Sequence, residues 1–272
     1  MNYKSKKTKF IGEIQDFVKI LSCNKGNRKR RFQSALKKVP ASPVRMRLID
    51  SEKHKLCYGM TVSQETFIFL NSMLIRYLIG YSYGHSMRTK FMLKLLVDEM
   101  LKRKLYPEVI STKNNKMISN TALLHDFGKL YISSSILAKP GKLTPEEYEI
   151  IKTHTTIGRD VIMSCENIFG RNDKQLRFIL EVVYSHHERW DGSGYPQGLK
   201  GEEIPVSARL MAVVDAYDAI TSKRIYKEAY SHEKAIEIIS KGSGTYFSPQ
   251  AVELFMTLKD AFSDIVLYYG DK

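Results

Sequence analysis

From about residue 62 onward the chain places apolar residues three and four positions apart, in stretches long enough for helices and too long for most strands. SQETFIFLNSMLIRYLIGY (63–81) opens on Ser63, a good N-cap, with Glu65 in the first turn. HSMRTKFMLKLLVDEMLKRKL (85–105) sets Met87, Phe91 and Leu95 four apart, beside Met92 and Leu96, which predicts a helical stripe. ISNTALLHDFGKL (118–130) is apolar from Ala122 to His125. TPEEYEIIKTHTTIGRDVI (144–162) begins with a capping box: Thr144 caps, Pro145 takes the first helical position, and Glu147 follows three after the cap. DKQLRFILEVVYSHH (173–187) is amphipathic, and PVSARLMAVVDAYDAITS (205–222) is a long apolar helix bearing two aspartates. SHEKAIEIISKG (231–242) stops on Gly242, and SPQAVELFMTLKDAF (248–262) starts on Ser248 and Pro249. Strand signals are thin throughout. The expected fold is an all-α helical bundle with long loops.

Residues 1–61 read differently. IGEIQDFVKIL (11–21) and 32–38 could be helical, while 23–31 and VPASPV (39–44) read as connectors. The expected division is a small basic accessory region over 1–61 and a main domain over 62–272. Residues 1–45 hold thirteen Lys and Arg against Glu13 and Asp16, so most of the chain's net charge of +14 sits there. Such an arm suits nucleic acid, an acidic membrane surface or an acidic partner protein. No aromatic interleaving or recognition motif accompanies it, so an ordinary solvated face explains it as well.

The rest of the composition narrows the class. At 43% hydrophobic and 26% charged, the chain can bury a full core. Its longest apolar stretch, 66–80, is interrupted by Asn71, Ser72 and Arg76 and is too short to span a bilayer. The polar, lysine-rich start has no apolar core of a signal peptide. Cys23, Cys57 and Cys165 are scattered and odd in number, which fits a reducing, cytoplasmic setting better than a disulfide framework.

The histidines carry the chemistry. His54 and His232 lie in polar surroundings, but His85, His125, His154, His186 and His187 sit on apolar helices or at their ends. Two are adjacent to each other, and His125 is followed by Asp126, with Lys129 close behind. Burying so many ionisable groups unpaired costs several kcal/mol in total, a cost that a shared cation removes. Imidazole nitrogens with carboxylate oxygens suit Fe, Mn, Zn or Co. One carboxylate can bridge two ions about 3.5–4 Å apart, an arrangement used for phosphodiester hydrolysis. A lysine beside it would add positive charge or protonate the leaving oxygen. Asp215 and Asp218 are three apart on one helical face. Asp215 is the better ligand; Asp218 suits either orienting a histidine or contacting substrate.

Three segments together, HDFGKLYISSSILAKPGKLTPEEYEIIKTHTTIG (125–158), HHERWDGSGYPQGLKGEEIP (186–205) and ARLMAVVDAYDAITSKRIYK (208–227), resemble the HD-GYP family. These are bacterial cyclic di-GMP phosphodiesterases within the HD superfamily of metal-dependent phosphohydrolases, and the likeness runs from about His85 to Phe255. The His-Asp pair alone is shared by many HD hydrolases; the HHERWDGSGYP signature is specific. The resemblance implies metal ligands His85, His125, Asp126, His154, His186, His187 and Asp215, with Asp126 bridging two ions, expected to be Fe or Mn. It implies that Lys129 assists catalysis, that Tyr195 shapes the guanine-nucleotide pocket, and that Arg224 and Lys227 hold substrate phosphates. Tyr81 stands where three-metal members carry glutamate, which favours two ions. The implied reaction opens cyclic di-GMP to linear pGpG, with further cleavage to GMP left open. The implied partners are the dinucleotide and a diguanylate cyclase or other signalling protein. A non-catalytic dinucleotide- or partner-binding module, and a hydrolase of another cyclic dinucleotide such as cyclic GMP-AMP, remain alternatives.

Overall fold

The computed structural model describes residues 83–164, 174–223 and 228–270. All of them belong to one compact unit. The N-terminal region, the helix expected over 63–81, Tyr81, the three cysteines, Arg224 and Lys227 lie outside the described residues.

The element order is α1 (Tyr83–Lys102), α2 (Asn115–Thr121), a 3-10 turn (Phe127–Tyr131), α3 (Ser134–Leu137), α4 (Pro145–Lys152) and α5 (His154–Ser164). It continues with α6 (Lys174–Ser185), a short 3-10 turn (Gly201–Glu203), α7 (Val206–Thr221), α8 (His232–Lys241) and α9 (Pro249–Tyr268). Among the described residues there is no strand, only an isolated bridge between Ser243 and Phe247. The all-α expectation holds.

α1 packs on α2, α7 and α9; α6 joins α2, α5 and α7; and α8 closes against α7 and α9. The core between them is built from Met92, Leu93, Leu96, Val97 and Met100 of α1, Leu210, Met211, Val213, Val214 and Tyr217 of α7, and Leu254, Phe255 and Phe262 of α9. The α1 stripe is rotated from the expected one. Met87, Phe91 and Leu95 are only half-buried, and the inward face runs through His85, Arg88, Thr89, Met92, Leu93 and Leu96. Three buried polar residues on that face, His85, Arg88 and Thr89, break the apolar pattern and shift its apparent phase.

The capping box at α4 forms as its sequence predicts. Thr144 Oγ1 accepts from the Glu147 N–H at 3.2 Å, and the Thr144 N–H donates to Glu147 Oε2 at 2.8 Å. The single helix expected over 144–162 is instead two, broken at Thr153. Thr153, Thr155 and Thr156 each turn a hydroxyl back onto the carbonyl three residues upstream, at 2.6, 3.0 and 2.9 Å, and such bonds bend helices. Gly242 ends α8 as expected, but with φ of −80° rather than in the left-handed region. What requires glycine there is crowding: an added Cβ would lie 2.8 Å from Phe247 Cδ2.

Candidate metal centre

Segments far apart in sequence converge on one buried cluster. His85 comes from the first residues of α1, and His125 and Asp126 from the turn after α2. His154 begins α5, His186 and His187 follow α6, and Asp215 lies within α7. The His-Asp pair therefore sits in a turn and not on a helix. Glycine makes that turn possible at this place, because a Cβ on Gly128 would lie 1.8 Å from the His154 carbonyl oxygen and 2.8 Å from the Gly158 nitrogen. Contact this close between the turn and α5 brings Asp126 to His154.

The donor atoms fall into two groups, Asp126 with His154, His186 and His187, and His85 with His125 and Asp215; within each they lie within 4.8 Å of one another. Asp126 straddles the two. Its Oδ1 lies 3.3 Å from His154 Nε2 and 3.8 Å from His186 Nε2, while its Oδ2 lies 3.3 Å from His125 Nε2. Lys129 Nζ donates to the same Oδ2 at 2.6 Å, and Asp215 Oδ1 is 3.7 Å from His125 Nε2.

The hydrogen bonds behind the histidines set their tautomers. Nδ1 of His125, His154 and His186 lies 2.7, 2.7 and 2.8 Å from the carbonyls of Ala122, Ile151 and Val182. A carbonyl only accepts, so each Nδ1 carries the proton, and Nε2 presents its lone pair inward. Nε2 of these three is buried and makes no hydrogen bond. Buried, unsatisfied and convergent lone pairs beside two carboxylates fit a divalent cation.

The electrostatics agree. Burial pulls His154 down to about 4 and His186 down to about 3, and it also lowers His187, so all three are neutral at pH 7. For Asp126, burial favours the neutral acid, but Lys129 and His125 outweigh it and hold the carboxylate well below its ordinary range. Burial likewise works to lower His125, and the Asp126 and Asp215 carboxylates overcome it and raise it. That excess of negative charge draws a cation into the same place.

One side of the cluster is open. Asp215, His187 and Tyr195 are half-buried, in contrast to His154, which is fully buried. The Tyr195 ring stacks on His187 at 4.8 Å, and the Tyr195 N–H donates to the His187 carbonyl. Tyr195 thus walls the open side. Burial, reinforced by Tyr148, pushes its phenol well above the ordinary value, so it stays a donor. Asp218 departs from the expected substrate-binding set. It is buried behind His85, accepting from His85 Nδ1 at 2.8 Å and from Arg88 Nε at 2.5 Å, and no face of it is left for substrate.

A family model described as HD domain matches residues 88–251, well over half of the chain. The chain belongs to the HD domain family. The tyrosine-proline loop at 194–196 and the neighbouring likenesses put it in the HD-GYP branch. A cyclic di-GMP phosphodiesterase from Thermotoga maritima is 40% identical over 74% of this chain and 52% of its own length. A protein from Vibrio cholerae named 3'3'-cGAMP-specific phosphodiesterase 2 is 40% identical over 54% of this chain and 27% of its own. The chain thus spans about half, or less, of the curated relatives it matches. Bd1817, an HDG"Y"P protein from Bdellovibrio bacteriovorus, shares the fold, with a TM-score of 0.50 at 13% identity over 88% of this chain and 81% of that one.

The HD-GYP loop rests in part on Glu188 and Trp190, to which the sequence assigns no role beyond loop support. Glu188 is buried; its Oε1 accepts from the Gln197 N–H at 2.7 Å and its Oε2 from the Leu199 N–H at 3.1 Å. Gly194 passes so close that a Cβ would lie 2.3 Å from the Arg189 nitrogen. Arg209 reaches from α7 beneath the loop, donating to the carbonyls of Ile204 and Glu202 at 2.6 and 2.7 Å, with its guanidinium 5.4 Å from the Trp190 ring. Arg88 was also missed. Its signal is spacing, since it lies three residues after His85 just as Asp218 lies three after Asp215.

Proposed function

We propose that this HD-GYP chain is a metal-dependent phosphodiesterase that opens cyclic di-GMP to linear pGpG. The observation that carries the reading is Asp126, whose two oxygens face two separate groups of donors while Lys129 stands against it. In this reading His154, His186 and His187 hold one divalent ion, His85, His125 and Asp215 hold a second, and Asp126 serves both. Iron or manganese suits this set of imidazole and carboxylate donors. Such ions supply Lewis acidity toward a phosphodiester and lower the pKa of water.

The chain's own residues do the rest. Lys129 keeps Asp126 ionised and holds positive charge where negative charge develops on the phosphate, or gives its proton to the leaving oxygen. His187 and Tyr195 present a flat aromatic wall at the open side, suited to a purine. Arg224 and Lys227, a few residues beyond α7, would take the phosphates. The basic region before residue 62 would serve as an accessory element that meets an acidic partner, a diguanylate cyclase among the candidates. A cytoplasmic site of action fits a second-messenger substrate.

The test is turnover by the full chain loaded with Mn2+ or Fe2+, its products separated by chromatography. Linear pGpG in the wild type, and none in a His125→Ala and Asp126→Ala double variant, is expected. Two bound ions with no turnover would leave only a dinucleotide-binding module. The 40% identity to a cGAMP-specific relative favours a second substrate reading, hydrolysis of 3'3'-cGAMP. Parallel assays with both dinucleotides separate the two.

A further inference from the structure

The inference rests on the metal-centre reading and concerns what distinguishes its two halves. His125, His154 and His186 are each braced by a backbone carbonyl three or four residues upstream. His85 is braced by a side chain, Asp218, which lies 133 residues away. Asp218 is itself gripped by Arg88, whose Nε donates to Oδ1 at 2.5 Å and whose Nη2 reaches Oδ2 at 3.2 Å. The guanidinium is fixed further by Ser222 Oγ at 2.9 Å from Nη2 and the Tyr269 carbonyl at 2.9 Å from Nη1. Both Arg88 and Asp218 are almost fully buried.

We propose that the Arg88–Asp218 pair is a tautomer lock, holding His85 as the Nδ1-protonated imidazole and so setting the metal affinity of the His85, His125 and Asp215 site alone. The donor count requires it. Arg88 has only donors, so both oxygens of Asp218 must accept from it. Oδ2 also meets His85 Nδ1, which must then donate, leaving Nε2 as the ligand atom. Asparagine cannot meet both demands. If its amide NH2 takes the place of Oδ2, it meets Arg88 Nη2 donor to donor, and His85 Nδ1 must accept, so the proton moves to Nε2 and the ligand lone pair is gone. If its NH2 takes the place of Oδ1, it meets Arg88 Nε, again donor to donor. Lysine at 88 removes the fork that grips both oxygens. Arg88 and Asp218 are thus positioning residues that act through His85 and touch no substrate.

The experiment titrates Mn2+ into chelator-stripped full-length chain, read by calorimetry and by electron paramagnetic resonance. Wild type is expected to take two ions. Asp218→Asn is expected to keep one site within a few-fold and to weaken the other by roughly 10- to 100-fold, with Arg88→Lys shifting the same site in the same direction. Two sites at wild-type affinity in Asp218→Asn would overturn the lock, and so would equal weakening of both sites in a variant that keeps its helical circular dichroism. Should Asp218→Asn fail to fold, long-range 1H–15N spectra of the metal-free wild type decide. An Nδ1-protonated His85 supports the lock, and an Nε2-protonated His85 overturns it. A wild type that binds no Mn2+ overturns the metal-centre reading itself, while the His85 tautomer still tests the lock.

Discussion

Gly128→Ala is the smallest change that should dismantle the centre without touching a ligand. The added methyl carbon would lie 1.8 Å from the His154 carbonyl oxygen, 2.7 Å from its carbon and 2.8 Å from the Gly158 nitrogen. All three are backbone atoms of the neighbouring segment, so no rotamer change relieves the clash. Restoring an ordinary contact of about 3.4 Å requires the turn and α5 to part by about 1.6 Å, and overpacking of this kind costs about 1–3 kcal/mol. The functional cost is larger, because Asp126 rides on that turn and His154 on that helix. They face each other at 3.3 Å, and a displacement of ~1 Å at a catalytic constellation costs about 100-fold in rate. Gly158→Ala should be milder, since its Cβ meets the side chain of Val183 at 2.7 Å and the nearest backbone atom, Gly128 N, at 3.2 Å. The assay is metal content, thermal melting and cyclic di-GMP turnover on the three purified chains. Gly128→Ala is expected to fold with less than one tightly held ion and at least about 100-fold lower turnover, and Gly158→Ala to fall between it and wild type. Full metal content and near-wild-type turnover in Gly128→Ala would refute this expectation.

Three further outcomes follow from the same geometry. Glu188→Gln puts an NH2 against one of the two N–H groups that the carboxylate now accepts, so the tyrosine-proline loop should loosen at a cost of about 1–3 kcal/mol. A raised KM for cyclic di-GMP with unchanged metal content is expected, and lost metal with unchanged KM would count against the assignment. The metal-free protein should be less stable at pH 5 than at pH 7. His154 and His186 titrate at about 4 and about 3 in the folded chain but near 6.5 unfolded, so the unfolded state takes up protons first and stability falls as pH drops from 6.5 toward 4. The loss is about 2 kcal/mol per histidine by pH 5, with His125, whose shift has the opposite sign, returning part. Melting in chelator at the two pH values checks this, and an equal or higher midpoint at pH 5 contradicts it. Finally, free Mn2+ at a hundred times Kd should stabilise the fold by about 2.7 kcal/mol per site, seen as a chelator-reversible rise in melting temperature that is lost in the His125→Ala and Asp126→Ala double variant.

How far the sequence could be read depended on how locally each feature is determined. The α4 start was legible because Thr144, Pro145 and Glu147 settle it among themselves. The rotation of α1 was not, because Arg88 and Thr89 look like surface residues until Asp218, from α7, comes to meet Arg88. The chemistry of His125 and Asp126 was legible as residue types, but their place in a turn was not, since the contact that shapes it is between Gly128 and the backbone of His154. The loop residues Glu188 and Trp190 were opaque for the same reason, their partners being main-chain groups of 197–199 and a guanidinium on α7.

The ligands divide along the same line. Three of the histidines take their tautomer from a carbonyl three or four residues away, so placing the residue in sequence places its proton as well. His85 takes its tautomer from a carboxylate that only the finished fold supplies. His154 and His186 of one half, and His125 of the other, are therefore braced by local backbone as soon as their helices and turns form, whereas His85 is correctly protonated only once α1 and α7 have packed. Substitutions at the α1–α7 contact around Arg88 should consequently alter metal binding at one site before they alter the other, and the order in which the two sites lose affinity across such a series reports how the centre is assembled.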